Sequence, residues 1–310
     1  MNPTTVVTKE IQQALAMKKA IVALESAVIT HGLPAPHNLE TAQAMERIVR
    51  ENGAIPGTTA LINGRVKLGL TPDELASIAA PDAKTVKISS RDFGYAMAKQ
   101  LNGGTTVAGT LTIAASAGVK VFATGGIGGV HRGMTQDVSN DLFTLASAPV
   151  VVVCSGAKAI LDLPATLETL ETYGVPVVGY RTDELPAFYS RSSGLKVGIT
   201  ADTPQMVAEI AQAHWEMGLR SGVVVAQPIP EGDEIPKENL EMVIERAIND
   251  AEAQQLQGAA LTPYLLARVS NYTKGASLKA NLALLRNNAE LAARIAVALA
   301  QMSTMRAPIT

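Results

Sequence analysis

Cysteine occurs once, as Cys154, so the chain has no internal disulfide framework and no CxxC pair for zinc or redox work. Aromatic residues are also scarce: one Trp, six Tyr and four Phe in 310 residues leave Ala, Val, Ile and Leu to build the core. That scarcity argues against stacking platforms for bases or sugars. There is no excess of positive charge. The 26 Lys and Arg face 28 Asp and Glu, for a formal charge of −2, which speaks against a nucleic-acid binder or a polybasic membrane-surface protein. No apolar run approaches the roughly 20 residues of a membrane span, and MNPTTVVTKEIQQALAMKKAIVAL lacks a basic-then-apolar leader. A soluble cytoplasmic protein is expected, and its 47% of hydrophobic residues suffice for a large core.

Short β-branched runs alternate with longer amphipathic stretches, the pattern of an α/β protein with a largely parallel sheet. One domain over residues 1–310 is expected. Strands are predicted at Ala20–Leu24, Thr58–Ile62, Thr85–Ser89, Val119–Ala123, Val150–Cys154, Val175–Tyr180, Leu195–Ile199 and Gly222–Ala226, several of them apolar on both faces. Helices are predicted at Asn38–Asn52, Thr71–Ala80, Arg91–Leu101, Leu163–Tyr173 and Thr203–Gly218. After Pro236 strands stop, and helices follow at Lys237–Gln257, Pro263–Thr273 and Ser277–Met302, with a frayed tail over 303–310. In the last helix Leu284, Leu291, Ile295 and Leu299 form a stripe that packs either within the domain or at a subunit interface. Gln227–Pro236 and Arg181–Gly194 read as loops.

Polar residues at the ends of apolar strands mark where ligands collect in such sheets. Glu25 directly follows the run AIVAL, with His31 and Gly32 beyond. A carboxylate there holds its proton more tightly and suits proton donation, unless it only caps a helix or pairs with a cation. VFATGGIGGVHRG places four glycines within five positions after a strand, a loop whose backbone N–H groups can approach a phosphate ester, with His131 and Arg132 as added donors. It is neither GxGxxG nor a P-loop. In TQDVSNDLFTLA, Val138, Leu142 and Leu145 fit a helical stripe, with Asp137 and Asp141 together on a neighbouring face. Such a pair shares a hard divalent ion or simply complements a helix dipole. Lys158 lies just past four consecutive valines in the small-residue turn Ser155–Gly156–Ala157. Desolvation there favours a neutral amine that attacks an aldehyde; the alternative is a packed stem with its head in water. Asn281, Asn287 and Asn288 are amides on an apolar helix that face a site or cap a neighbour, and Lys87 is a cation at a strand end. Cys154 reads as a small core residue.

VALESAVITHG, KISSRD, GTTVAGT, KVFATGGIGGVHRG, CSGAKAILDL, GVPVVGYRT, PAFYSRSS and SLKANLALLRNNA, in that order, resemble the pseudouridine-5′-phosphate glycosidase family, related to the indigoidine synthase A type. The resemblance implies a three-layer α/β/α fold, a homotrimer, and reversible cleavage of pseudouridine 5′-phosphate to uracil and ribose 5-phosphate with Mn²⁺ or another divalent ion such as Mg²⁺. It implies that Lys158 forms a Schiff base with the ring-opened sugar, that Glu25 donates a proton, and that Asp137 binds the metal. By the same resemblance Ser139, Asn140, Asp141, Lys87 and Val107 contact substrate, and Thr124, His131 and Asn281 surround the sugar phosphate. The chain departs from the family pattern in a shorter segment from His131 to Asp137 and in QPIP, with Gln227 in place of Asn. Two other readings are a different Schiff-base lyase or aldolase on a sugar phosphate, and a sugar-phosphate-binding protein without catalysis.

Overall fold

The structure is a computed structural model that describes residues 5–256 and 261–305, apart from the side chains of 134–136, 263 and 305. The chain begins with strand β1 (Thr5–Val7), helix α1 (Lys9–Ala16), β2 (Ile21–Leu24), α2 (His37–Glu51), β3 (Ile55–Ile62) and β4 (Arg65–Leu68). It continues through α3 (Pro72–Ala79), β5 (Thr85–Ile88), α4 (Phe93–Ala98), β6 (Asn102–Thr105), α5 (Val107–Ala117) and β7 (Val121–Ala123). Next come β8 (Val130–His131), β9 (Met134–Val138), α6 (Asn140–Leu145), β10 (Val151–Cys154), β11 (Leu161–Asp162), α7 (Leu163–Thr172) and β12 (Val177–Tyr180). The last elements are β13 (Ile199–Ala201), α8 (Pro204–Glu216), β14 (Val223–Ala226), α9 (Lys237–Ala253), α10 (Leu261–Tyr272) and α11 (Ala276–Met305).

Residues such as Val151–Cys154 and Val223–Ala226 are apolar on both faces, so they are stable only where helices cover both sides of a sheet. They lie in a parallel run of order β3-β2-β7-β10-β14-β12-β13. Beside β3 the sheet becomes mixed: β4 and β6 pair antiparallel with it, and β1 and β5 join β4 and β6 in parallel. From β2 the chain moves to β3 on one side and later returns to β7 on the other, which makes the β2/β7 crevice a topological switch point. Helix α11 packs on α2 and α8 and covers β2, β7 and β10, while α5 lies against β2, β3 and β7 and against α6. The result is the expected three-layer arrangement with a helical C-terminal part. The small antiparallel sheet β11-β8-β9 is built from the segments that follow β7 and β10.

Most predicted elements stand within a few residues of their expected limits, and the exceptions have physical causes. The strand expected at Leu195–Ile199 begins only at Ile199, because 183–197 is an irregular excursion held by its own polar groups, including Ser193 Oγ donating to Leu185 O at 2.6 Å. Helix α5 was not expected, since its residues are apolar all round and leave no stripe to detect. Thr106 caps its start by accepting the Gly109 N–H, and Gly118 ends it at φ +81°. The helix read through TQDVSNDLFTLA is instead a strand, a Ser139 cap and a helix starting at Asn140. Asp137 and Asp141 therefore do not share a helix face. The tail expected to fray from 303 stays helical through Met305, and 306–310 lie outside the described residues, as does Gln257 at the expected end of α9. Leu284, Leu291, Ile295 and Leu299 are all buried within this chain, so the stripe serves its own core and offers no free interface.

Asn288 ties α11 to the sheet. Its side chain is fully buried and its Nδ2 donates to Thr124 O at 2.9 Å and to Ser155 Oγ at 3.2 Å, groups just beyond β7 and β10. Asn288→Ala strands these buried acceptors and is expected to lower the free energy of unfolding by about 2–4 kcal/mol. A guanidinium titration with an unchanged midpoint would refute this.

Candidate functional site

The carboxyl ends of β2, β7 and β10 open into a cavity of about 510 Å³. Glu25 is the residue after β2 and Thr124 the residue after β7, so the switch point brings them together: Thr124 Oγ1 donates to Glu25 Oε1. Glu25 is buried. Burial pushes its carboxyl above the ordinary glutamate value of 4.5, against the Lys158 charge and the Thr124 hydrogen bond, with Asp141 adding to the rise and Lys87 opposing it. Lys158 follows β10 and lines the same cavity, as do Lys87, Val107, His131, Asp137, Ser139, Asn140, Asp141 and Asn281. Thr124 itself is fully buried behind Glu25.

The glycine loop lines the cavity with Gly125, Gly126 and Gly128, and part of its backbone is committed within the protein. Ile127 N–H donates to Gly156 O at 3.1 Å, Gly128 N–H to Asp141 Oδ2 at 2.8 Å, and Val130 N–H to Thr166 Oγ1 at 3.0 Å, so these donors are spent inside the protein. Small residues are needed because neighbours press in: a Cβ on Gly128 would lie 2.2 Å from Ser139 Oγ. Gly156 has φ +83° and would meet Pro186 O at 2.2 Å, so the turn before Lys158 also requires glycine. Asp141 spends its second oxygen on the Ala108 N–H at 2.8 Å, which locks the start of α5 to the loop. It frames the cavity rather than presenting a free carboxylate.

Arg132 does not line this cavity. Its guanidinium faces away and pairs with Glu241, with a 2.5 Å contact from Nη1. Burial and the Lys158 charge hold Lys87 below the usual lysine range, opposed by Asp141 and Glu25. Burial also lowers His131, opposed by the nearby Asp137 carboxylate, so its imidazole is largely neutral at pH 7. His31 lines the cavity too, lowered by burial and by Lys87, with Nδ1 2.6 Å from Thr30 Oγ1. Sequence reasoning missed Ser89, Arg91, Thr106, Phe188 and Thr262, which also stand in the wall. Ser89 and Arg91 stand in the KISSRD segment, and Phe188 in PAFYSRSS, motifs that carried no chemical signature alone. Asn287 donates to Pro228 O at 3.2 Å, a cap rather than a site contact. Gln227, at the QPIP departure, is not in the cavity wall; its Oε1 is buried and lacks a hydrogen-bond partner among the described residues.

Asp137, at the end of β9, is the carboxylate that could hold a divalent ion at the cavity wall. Among the described residues no three His, Cys, Asp or Glu converge on a point. One carboxylate with water and substrate oxygens suits Mg²⁺ or Mn²⁺, which keep several waters, and does not suit zinc.

A family model described as indigoidine synthase A like protein matches residues 10–298. A protein of Caldanaerobacter subterraneus subsp. tengcongensis named pseudouridine-5′-phosphate glycosidase is 50% identical over 301 residues, covering 96% of this chain and 98% of the relative. One of the same name from Herpetosiphon aurantiacus is 52% identical over 298 residues, covering 96% of this chain and 98% of the relative. The crystal structure of the prealnumycin C-glycosynthase AlnA in complex with ribulose 5-phosphate superposes with a TM-score of 0.91 at 38% identity, covering 99% of this chain and all of that one.

The raised Glu25 value has a consequence for stability. Below about pH 4.5 the carboxyl is protonated in both folded and unfolded chains; above it the unfolded chain ionises first, so stability falls as pH rises until the folded value is passed. Glu25→Gln removes this loss. The variant is expected to gain stability over the wild type as pH rises from 4 to 8, read by urea unfolding at each pH. A difference that does not grow with pH would contradict the assignment.

Proposed function

Since the chain belongs to the indigoidine synthase A-like family, we propose that it cleaves the C–C glycosidic bond of pseudouridine 5′-phosphate, reversibly, to uracil and ribose 5-phosphate. Full-length relatives near 50% identity carry the name of that activity. The observation that carries the reading is the placement of Lys158 and a buried, proton-holding Glu25 in one cavity at the switch point. Ordinary glycosidases protonate a departing oxygen and pass through an oxocarbenium-like state. A uracil carbon is a poor leaving group, and an amine supplies the missing electron flow.

In the cleavage direction the Lys158 amine bonds to C1′ as the ring C1′–O4′ bond breaks, and the proton that its nitrogen sheds goes to O4′. The nitrogen lone pair then forms C1′=N as the C1′–C5 bond breaks, and the electron pair left on uracil C5 takes a proton from Glu25. Water adds to the protonated imine, ribose 5-phosphate and the free amine are released, and the proton given up in this step returns to Glu25. Lys87, His131, Ser139, Asn140, Asp141 and Asn281 line the space for the sugar phosphate, and Ser139 N–H to Gly129 O and Gly128 N–H to Asp141 Oδ2 hold the glycine loop beside it. Asp137 would hold a divalent ion, which neutralises and orients substrate oxygens when bound. Likeness to a C-glycosynthase supports use of the same groups in the bond-forming direction. A homotrimer and a cytoplasmic location belong to the same reading; among the described residues no helix is long and apolar enough to cross a membrane.

Incubation with pseudouridine 5′-phosphate and Mn²⁺ is expected to release free uracil. Binding without turnover would point to a sugar-phosphate-binding protein, and turnover of another sugar phosphate without uracil chemistry to a lyase or aldolase. Borohydride with ribose 5-phosphate should leave a reduced sugar-phosphate adduct on Lys158. Lys158→Ala is expected to lose trapping and turnover, Lys158→Arg likewise because guanidinium stays charged, and Glu25→Ala to lose turnover while still trapping. A folded Lys158→Ala that releases uracil would rule out the covalent route. Chelation should abolish activity, and Asp137→Ala should raise the concentration of metal needed for half-maximal rate at least about tenfold; full activity of the stripped protein would exclude the metal role.

A further inference from the structure

Arg132 stands in the turn between β8 and β9, one residue after His131 and five before Asp137. Instead of entering the substrate cavity, its guanidinium reaches across to the segment that follows Lys158. Nε donates to Leu161 O at 3.1 Å and Nη2 to Ala159 O at 3.1 Å, so one planar group holds the carbonyls at both ends of the turn next to Lys158. Its remaining fork grips Glu241 on α9. A planar fork with fixed donor directions suits this bridging, which an ammonium cannot reproduce.

Backbone pairing also supports the turn, with Lys158 N–H donating to Ile127 O at 3.1 Å and Leu161 paired with His131 across β11 and β8, but only the arginine links it to α9 among these contacts. Leu161 lines both the 510 Å³ cavity and a second cavity of about 460 Å³ formed with α9, so the turn stands between the substrate cavity and that helix. Helix α9 is itself anchored: Lys237 Nζ donates to Ser193 O at 2.8 Å and Ser190 Oγ to Ile235 O at 2.6 Å. The chain of contacts therefore runs from a fixed outer helix through Glu241 and Arg132 to the residue beside Lys158, and from the same arginine's backbone to His131.

We infer that Arg132, oriented by Glu241, is a positioning residue that keeps the Lys158 amine in register with the β8–β9 hairpin. It acts on the rate of the covalent step and not on substrate binding. The inference rests on Lys158 being the nucleophile of the proposed reaction.

Steady-state kinetics, borohydride trapping and hydrogen–deuterium exchange of the peptide spanning 157–162 test it on the wild type, Arg132→Ala, Arg132→Lys and Glu241→Gln. For Arg132→Ala, kcat is expected to fall about 30- to 100-fold, because a misplacement of about 1 Å costs that much. KM should change less than about threefold, trapping should slow in proportion to kcat, and 157–162 should exchange faster. Added guanidinium should restore part of the rate. Arg132→Lys, which can reach one carbonyl but not both, and Glu241→Gln should show smaller losses of the same kind. A kcat within about threefold of the wild type in Arg132→Ala, or a raised KM at unchanged kcat, overturns the inference, as does unchanged exchange at 157–162. If Arg132→Ala does not fold, wild-type kcat and exchange in both Arg132→Lys and Glu241→Gln overturn it equally. A wild-type protein that neither releases uracil nor traps sugar defeats the reading of Lys158, whereas the clamp itself stands or falls on the exchange measurement.

Discussion

The segments leaving β7 and β10 go on hydrogen-bonding to one another past the ends of the strands: Ser155 N–H to Gly125 O at 2.9 Å, Ile127 N–H to Gly156 O at 3.1 Å, Lys158 N–H to Ile127 O at 3.1 Å. This extended ladder is the constraint on which the site depends. Two loops of mostly small residues have few side chains with which to hold themselves, so backbone pairing must place Lys158 relative to the glycine loop. The pairing requires close approach, which explains both the glycines and Gly156 at positive φ. Asn288 seals the ladder from the α11 side and Asp141 from the α5 side.

With that frame in place, electrostatics sets the chemistry. Glu25 is driven to hold its proton by burial at the switch point, and Lys87 is driven toward the neutral amine by burial and by Lys158 nearby. A buried acid and two neighbouring amines would be costly in a purely structural core, since each ionised group loses hydration. Their convergence in one cavity, with the Glu25 carboxyl held protonated, is the kind of perturbed cluster that marks a functional site.

The resemblance to a known family was legible because its motifs fall at strand ends, where α/β sheets place ligands, and Glu25, Lys158, His131 and Asp137 do line one cavity. Local pattern was a poorer guide where polar residues serve the protein itself. Arg132 and the loop N–H groups of Ile127, Gly128 and Val130 looked like anion donors, yet all are spent on internal acceptors. A donor's type is visible in one dimension; whether its partner is a ligand or an acceptor elsewhere in the chain is not.

The alternation of buried parallel strands with helices follows from residue order alone, because apolar runs such as Val150–Cys154 have no stable place except a covered sheet. Residue order also determined which residue types stand at strand ends. Packing and strand order instead put Asp137 in a strand and Asp141 in the first turn of a helix, gave the α11 stripe to this chain's own core, and made α5 a helix. In each case the reason is the same: periodicity reports which side of an element is apolar, whereas the partner that covers it, and the backbone groups that a side chain must satisfy, are set by strand order and by contacts far apart along the chain.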